Sequence, residues 1–158
     1  MAQETFATRW FIHAPAEDIY AHLADPNHYI GLSPLITAVS DVEQSVDAQG
    51  LTVYHYRSVE QFRFFGWLRY DNRLRVTMTL TRPNQQLVSD VDSPLNVHVR
   101  FTVDLEPGDG GTWLTETVSA QMPAIVRGYV VREAKWVQEE RARILKARME
   151  TAGSAPPV

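Results

Sequence analysis

Glu116 is the residue whose placement asks most of its surroundings. Along the segment from Thr112 to Gln121, its parity also carries Leu114, Val118, Ala120 and Met122, whereas Thr115, Thr117 and Ser119 take the other face. Side chains of a strand alternate between two faces, so this register aims a carboxylate at the core. A buried carboxylate must be paired, protonated, wetted or functional, because an isolated buried charge is expensive. A strand end or bulge that returns it to water is the plainer alternative. Tyr70 and Asn72 extend the parity of Leu74, Val76, Met78 and Leu80 in the same way. A phenol and an amide among aliphatic neighbours would orient a ligand whose burial those neighbours supply. Between residues 52 and 64, Tyr54, Tyr56 and Phe62 share a face with Ser58 and Glu60, and Val53, His55, Arg57, Val59 and Gln61 share the opposite one. The aromatic face is the expected inner one. The reversed register would put His55 and Arg57 inside, where a guanidinium would partner an enolate or a carboxylate. The candidates for proton transfer are therefore Glu116, Tyr70, Arg57 and His55. Those for ligand contact are Tyr54, Tyr56, Phe62, Tyr70, Asn72, Met78, Phe101, Glu116, Val118 and Val130.

Other chemistries leave no trace. The chain has no nucleotide-binding glycine motif, no HExxH and no GxSxG. Its 5 histidines, His13, His22, His28, His55 and His98, lack ligand spacing, and with 0 cysteines there is no thiolate ligand or nucleophile. Asp90 and Asp92 share a strand face without a third ligand nearby, which reads as a solvated surface. No metal and no cofactor is expected.

These side chains need a sheet to hold them. Thr5 to His13 reads as a strand, and Ala14-Pro15 ends it and opens a helix with Glu17 and Asp18 in the first turn. Ile19, Tyr20 and Leu23 form its apolar stripe, and Asp25-Pro26 stops it. The stretch from Asn27 to Pro34 reads as an irregular connection that can hold a short second helix. Period-2 segments then follow: 36–46, 52–64, 68–81, 86–93, 97–105 and 112–121, with turn signals at 47–50, 65–67, 83–84, 94 and 107–111. In the cleanest of them, Val97, Val99, Phe101, Val103 and Leu105 alternate with His98, Arg100, Thr102 and Asp104. One face of such a strand is wet and the other needs a cover. From Ala124 to about Glu150 the period changes: Val126, Val130, Ala134, Val137, Ile144 and Leu145 recur at helical spacing. Strands precede the long helix instead of alternating with helices, so the class is α+β, in the order β-α-(α)-β6-α.

Composition narrows the partners. The chain has 158 residues, 15 basic and 19 acidic, for a net charge of −4. A phosphate-binding face draws on a basic excess that is absent here, so nucleic acid is disfavoured. The first residues lack a signal-peptide pattern and no apolar run is long enough to span a bilayer, which leads to the expectation of a cytoplasmic protein without an integral membrane segment. Residues 1–152 are expected to form one ligand-binding domain, followed by a disordered tail at 153–158. Between Ala124 and Ala152 lie seven basic and four acidic side chains. That balance leaves an acyl-carrier protein open as a partner, as is a second copy of the chain.

The segment from Trp10 through Ala14-Pro15 to Asp25, the glycine-rich hairpin before Thr112-Trp113-Leu114-Thr115, and the long last helix together resemble START-like (SRPBCC, helix-grip) domains, in the polyketide cyclase/dehydrase and lipid-transport-like branch. The resemblance covers nearly the whole chain. It implies a seven-stranded curved antiparallel sheet wrapped around the C-terminal helix, with a cavity between them for a small hydrophobic or aromatic metabolite. Aromatase-type members carry a tryptophan and a proline after the first helix; residues 27–34 have no tryptophan here. Two further roles within that resemblance are a polyketide cyclase, aromatase or dehydratase that uses cavity Tyr, Glu, Arg or His side chains to move protons, and a chaperone-activator-like interaction protein.

Overall fold

The computed structural model describes residues 1–64 and 66–153. Seven strands lie in one sheet among the described residues, ordered β1-β7-β6-β5-β4-β3-β2 and antiparallel at every pairing. They are β1 (Ala2–Ile12), β2 (Ile36–Val46), β3 (Thr52–Phe64), β4 (Leu68–Arg82), β5 (Gln86–Ser93), β6 (Val97–Gly108) and β7 (Gly111–Met122). β2 to β7 form a meander, and β1 returns to pair with β7. Helix α1 (Ala16–Leu23) follows β1, and α2 (Arg127–Gly153), of 27 residues, is the last described element. This is the α+β class that the order of periodicities predicts, in the helix-grip arrangement that the resemblance implies.

Local chemistry explains the boundaries. Pro15 caps α1 in an extended conformation, and Ile19, Tyr20 and Leu23 face the core. The connection beyond α1 contains a single 3-10 turn, Pro26–Tyr29, whose first residues are held by the Asp25 side chain accepting from the Asn27 amide at 2.9 Å. The tight return from β6 to β7 depends on Gly111, where an added Cβ would fall 2.2 Å from the Ile12 carbonyl oxygen. No side chain fits there. Edge strand β2 is mostly exposed, and its pairing with β3 slips twice, with Asp41 at φ 52°. Such irregularity discourages edge-to-edge association.

The predicted alternations appear as burial. On β7, Thr112, Leu114, Glu116, Val118, Ala120 and Met122 are buried while their neighbours are not. On β6, Val103 and Leu105 are buried and Val99 and Phe101 are half-buried under α2. A closed core lies where α1 meets the sheet, around Ile12, Ile19, Leu23, Leu105, Leu114 and Leu145. Towards the β3–β4 hairpin the sheet and α2 part and leave space between them. The expected turn at Phe65-Gly66-Trp67 includes Phe65, and the expected tail includes residues 154–158; these lie outside the described residues. Gly153 is the last residue of α2.

Candidate functional site

The space between sheet and α2 is a cavity of about 300 Å³. Its walls are mainly aliphatic and aromatic, from Leu74 and Val76 of β4 across to Val99, Phe101 and Val103 of β6, with Val130, Ala134 and Val137 of α2 opposite. That volume is at the small end for a ligand site. Burial grades along the strands: on β3, Tyr56 and Ser58 are buried and Glu60 and Phe62 half-buried, and on β4, Leu74 and Val76 are buried, Asn72 half-buried and Tyr70 exposed. The mouth therefore lies beside the β3–β4 hairpin, the β5–β6 turn at Pro94 and Leu95, and the first turns of α2. The floor lies beneath Leu23, Tyr29 and Leu87.

Glu116 points inward, as its parity requires, and it is paired. Arg141 of α2 donates from Nε to Glu116 Oε2 at 3.1 Å and from Nη2 to Oε1, a two-pronged contact in which each side chain is 9% exposed. Its Nη1 donates to Ser33 Oγ at 3.2 Å, and its guanidinium carbon lies 4.8 Å from the centre of the Phe101 ring. Gln138, one turn earlier on α2, donates to the Glu116 carbonyl oxygen at 2.8 Å. Burial alone would lower the Arg141 pKa, but the charge and hydrogen bonds of Glu116 outweigh it and hold the guanidinium above its ordinary value. A guanidinium has five N–H donors. Three are engaged here, which leaves two for a ligand oxygen in the cavity that Arg141 lines.

Other polar groups punctuate the walls. Burial raises the pKa of the Tyr29 phenol, although the Arg141 charge opposes it, and Tyr29 donates to the Leu23 carbonyl oxygen at 3.0 Å. Burial likewise raises the pKa of Tyr56, so both phenols keep their protons. The Ser58 hydroxyl is buried in the cavity wall without a hydrogen-bond partner. Two residues on, Glu60 accepts from the Asn72 amide at 3.3 Å. Desolvation raises the Glu60 pKa, with the Asn72 bond and the Arg141 charge opposing and Glu133 reinforcing the shift.

Of the residues singled out by parity, Tyr56, Phe62, Tyr70, Asn72, Phe101, Glu116 and Val130 border this cavity. Three others do not reach it. Tyr54 packs beside the cluster of Tyr56, Leu74, Val76 and Met78, in which Met78 is wholly buried, and Val118 is sealed under α2. They share the inward parity but lie where neighbouring side chains already fill the space, Tyr54 and Met78 within a cluster that includes Ile36 and Val39 of β2. The reversed register of β3 does not occur. His55 and Arg57 are exposed on the outer face, His55 Nδ1 at 3.2 Å from Thr77 Oγ1 and Arg57 Nε 3.7 Å from Asp41. Water solvates both polar side chains there, which the aliphatic interior would not. Asp90 accepts from Arg100 at 2.7 Å and Asp92 contacts His98 at 2.6 Å, a solvated strand face as read from the sequence. His28 stacks on His22 with ring centres 4.2 Å apart and borders no part of the cavity. Among the described residues, no cluster of three or more metal-ligating side chains occurs, and no helix is long and apolar enough to cross a membrane.

Arg141, Ser33, Gln138 and Glu133 are functional candidates that strand parity does not reveal. For Arg141 a signal exists: 141 continues the helical spacing of 130, 134 and 137, so the apolar stripe carries one basic residue opposite one acidic residue of the sheet. Ser33 lies in an irregular segment with no periodicity to read.

Neither a protein-family model nor a curated protein matches the sequence. Solved structures do match in shape. The Zhui aromatase/cyclase from Streptomyces sp. R1128 superposes with a TM-score of 0.75 at 16% identity, covering 98% of each chain. A START superfamily protein from Mycobacterium smegmatis gives 0.70 at 18% identity, over 94% of this chain and 98% of that one. The di-domain aromatase/cyclase StfQ from the steffimycin biosynthetic pathway gives 0.69 at 12% identity over 97% of this chain, which spans about half (53%) of StfQ. At such identities the likeness establishes the START-like helix-grip fold.

Proposed function

We propose that this chain binds a small, predominantly apolar molecule between its sheet and α2, with one ligand oxygen held by the free N–H groups of Arg141 and by the Tyr56 phenol. The observation that carries this reading is the cavity of about 300 Å³, in which a buried ion pair has donors to spare. Apolar walls supply burial at roughly 25 cal/mol per Å², and the few polar groups fix orientation. Glu116 serves in this reading as the counter-ion that keeps Arg141 in place, since both its oxygens already accept from that guanidinium.

A second reading is a cyclase, aromatase or dehydratase. It is favoured by three oxygen acids inside one apolar space: Tyr56 and Tyr29, whose phenols burial keeps protonated, and Glu60, whose carboxyl burial raises above the ordinary glutamate range. Glu60 would carry the proton in that case, because Glu116 is committed to Arg141.

The test is titration of the protein with the neutral fluorescent probe N-phenyl-1-naphthylamine, alongside mass spectrometry of any extracted ligand. Wild type is expected to bind one probe per chain in the range of about 1 μM to 1 mM. Val99→Trp, which fills the cavity from β6, is expected to abolish binding while the circular dichroism spectrum is retained. Equal binding by both proteins would mean that the probe lies elsewhere and would overturn the reading.

A further inference from the structure

The acids of this molecule are unevenly neutralised. Glu4 is paired with Arg127, Glu116 with Arg141, Glu140 with Arg143 and Glu150 with Lys146. Glu60 of β3 and Glu133 of α2 both line the cavity, the Glu133 charge is felt at Glu60, and among the described residues neither has a cation within ion-pair distance. Both are half-buried. Arg141 is bound by Glu116, and although its charge is still felt at Glu60, the lining carries three carboxylates, Glu60, Glu116 and Glu133, against this one cation. The rings of Phe62, Tyr70 and Tyr129 surround Glu60 and Glu133 at the mouth, with Phe62 and Tyr129 6.4 Å apart between centres. Aromatic faces attract cations and desolvated carboxylates demand them. Arg132, 5.8 Å from the Tyr129 ring centre, is exposed.

A second, independent observation lies on the same strand face. Ser58, two residues before Glu60 and 3% exposed, lines the same cavity with a hydroxyl that has no partner. A buried hydroxyl left unmet costs about 1–3 kcal/mol. Such a hydroxyl can accept from a ligand N–H or donate to a ligand oxygen, and beside Glu60 it is placed to accept from a donor that the carboxylate also binds.

We propose that the ligand of this cavity is a cationic amphiphile, an apolar or aromatic body bearing a protonated amine, whose ammonium group sits at the mouth among Glu60, Glu133, Ser58 and the aromatic ring. A primary ammonium has three donors, and the wall offers three acceptors for them. The apolar body then extends towards Arg141. The same charge pattern rejects fatty acids and other carboxylates, which would bring a further negative charge to an apolar site where carboxylates already outnumber the cation. This inference rests on the cavity being a ligand site and specifies which class of ligand it admits.

Three naphthalene probes separate the questions by calorimetry at pH 7.5: 2-(2-naphthyl)ethylamine, 2-(2-naphthyl)ethanol and 2-naphthylacetate. The amine is expected to bind about tenfold more tightly than the alcohol, the worth of one desolvated charge-assisted contact, and the acetate not to saturate. The double variant Glu60→Gln, Glu133→Gln is expected to bring the amine-to-alcohol ratio to about one, and Ser58→Ala to weaken the amine by about threefold. Glu139→Gln, on the exposed face of α2, is the control and is expected to keep the ratio. Equal binding of amine and alcohol by wild type, or a ratio that survives in the double variant, would overturn the cationic assignment and leave the cavity reading intact. No binding of any probe would overturn both.

Discussion

Glu116 and Arg141 meet where α2 crosses β7, and each makes sense only through the other. Glu116 lies among aliphatic neighbours on its strand face; Arg141 lies on the apolar stripe of its helix. Two buried charges in good geometry roughly offset their own desolvation, whereas one alone does not. Arg141→Met is therefore expected to cost about 3–5 kcal/mol in urea unfolding, because it strands the Glu116 carboxylate. The double variant Glu116→Leu, Arg141→Met removes both charges and is expected to regain most of that stability. If the double variant were as unstable as the single, Arg141 would act by packing on Phe101 and not by charge. The carboxylate of Glu116 was legible as a period-2 exception in an apolar row. Its partner was legible only as a basic residue within a helical stripe, and the Ser33 contact was not legible at all, because an irregular segment has no register to read.

At the scale of elements, the connection between α1 and β2 delivers Tyr29 and Ser33 to the cavity, and it is fastened from α2. Arg148 donates to the His28 carbonyl oxygen at 2.8 Å and to the Ile30 carbonyl oxygen at 3.2 Å, and lies 3.3 Å from His22 Nε2. Next to it, burial first, then the charges of His28 and Arg148, lower the His22 pKa, which keeps that ring neutral and tolerable beside a guanidinium. Arg148→Ala is expected to cost about 1–3 kcal/mol, the range for losing hydrogen bonds to a charged donor. It is also expected to raise amide-hydrogen exchange in residues 26–34 relative to the strands. Unchanged exchange in that segment would mean that Tyr29 and the 3-10 turn anchor themselves. The strands and α2 were readable because periods of 2 and 3.6 are visible in residue order. The facing of β3 was open from its sequence, since both of its faces mix polar and apolar residues; the pairing Tyr56↔Val76 and Glu60↔Asn72 settles it.

For the molecule as a whole, one buried acid has a signature in the pH dependence of stability. Burial holds the Glu60 carboxyl above the ordinary glutamate range, with Glu133 adding to the shift. Between the unfolded value, about 4.3, and that raised value, the folded state binds more protons than the unfolded one, so stability falls as pH rises. The contribution is complete below the unfolded pKa and lost above the folded one. Glu60→Gln has no such proton to lose. Its melting temperature is expected to exceed that of wild type at pH 8, with the difference shrinking to about zero by about pH 4. The acids Asp71, Glu140 and Glu150, held low by hydrogen bonds, slope the opposite way but cancel in the comparison. A pH-independent difference would mean that Glu60 is solvated. Retaining an acid that weakens the fold is the kind of local cost found at functional sites.

Residue order by itself determined the seven strands, the long helix, the α+β class and which face of the cleanest strands is apolar, because each of these is a periodicity that short-range sterics and burial impose along the chain. It also aimed Glu116 at the core, where a carboxylate must be paired, protonated, wetted or functional. Only the tertiary structure decided that Arg141 pairs with Glu116, that His55 and Arg57 are wet, and that Glu60 and Glu133 line one cavity with no ion-pair partner among the described residues. Those are meetings between segments far apart in sequence, set by where α2 crosses the curved sheet and where the two part to leave a cavity.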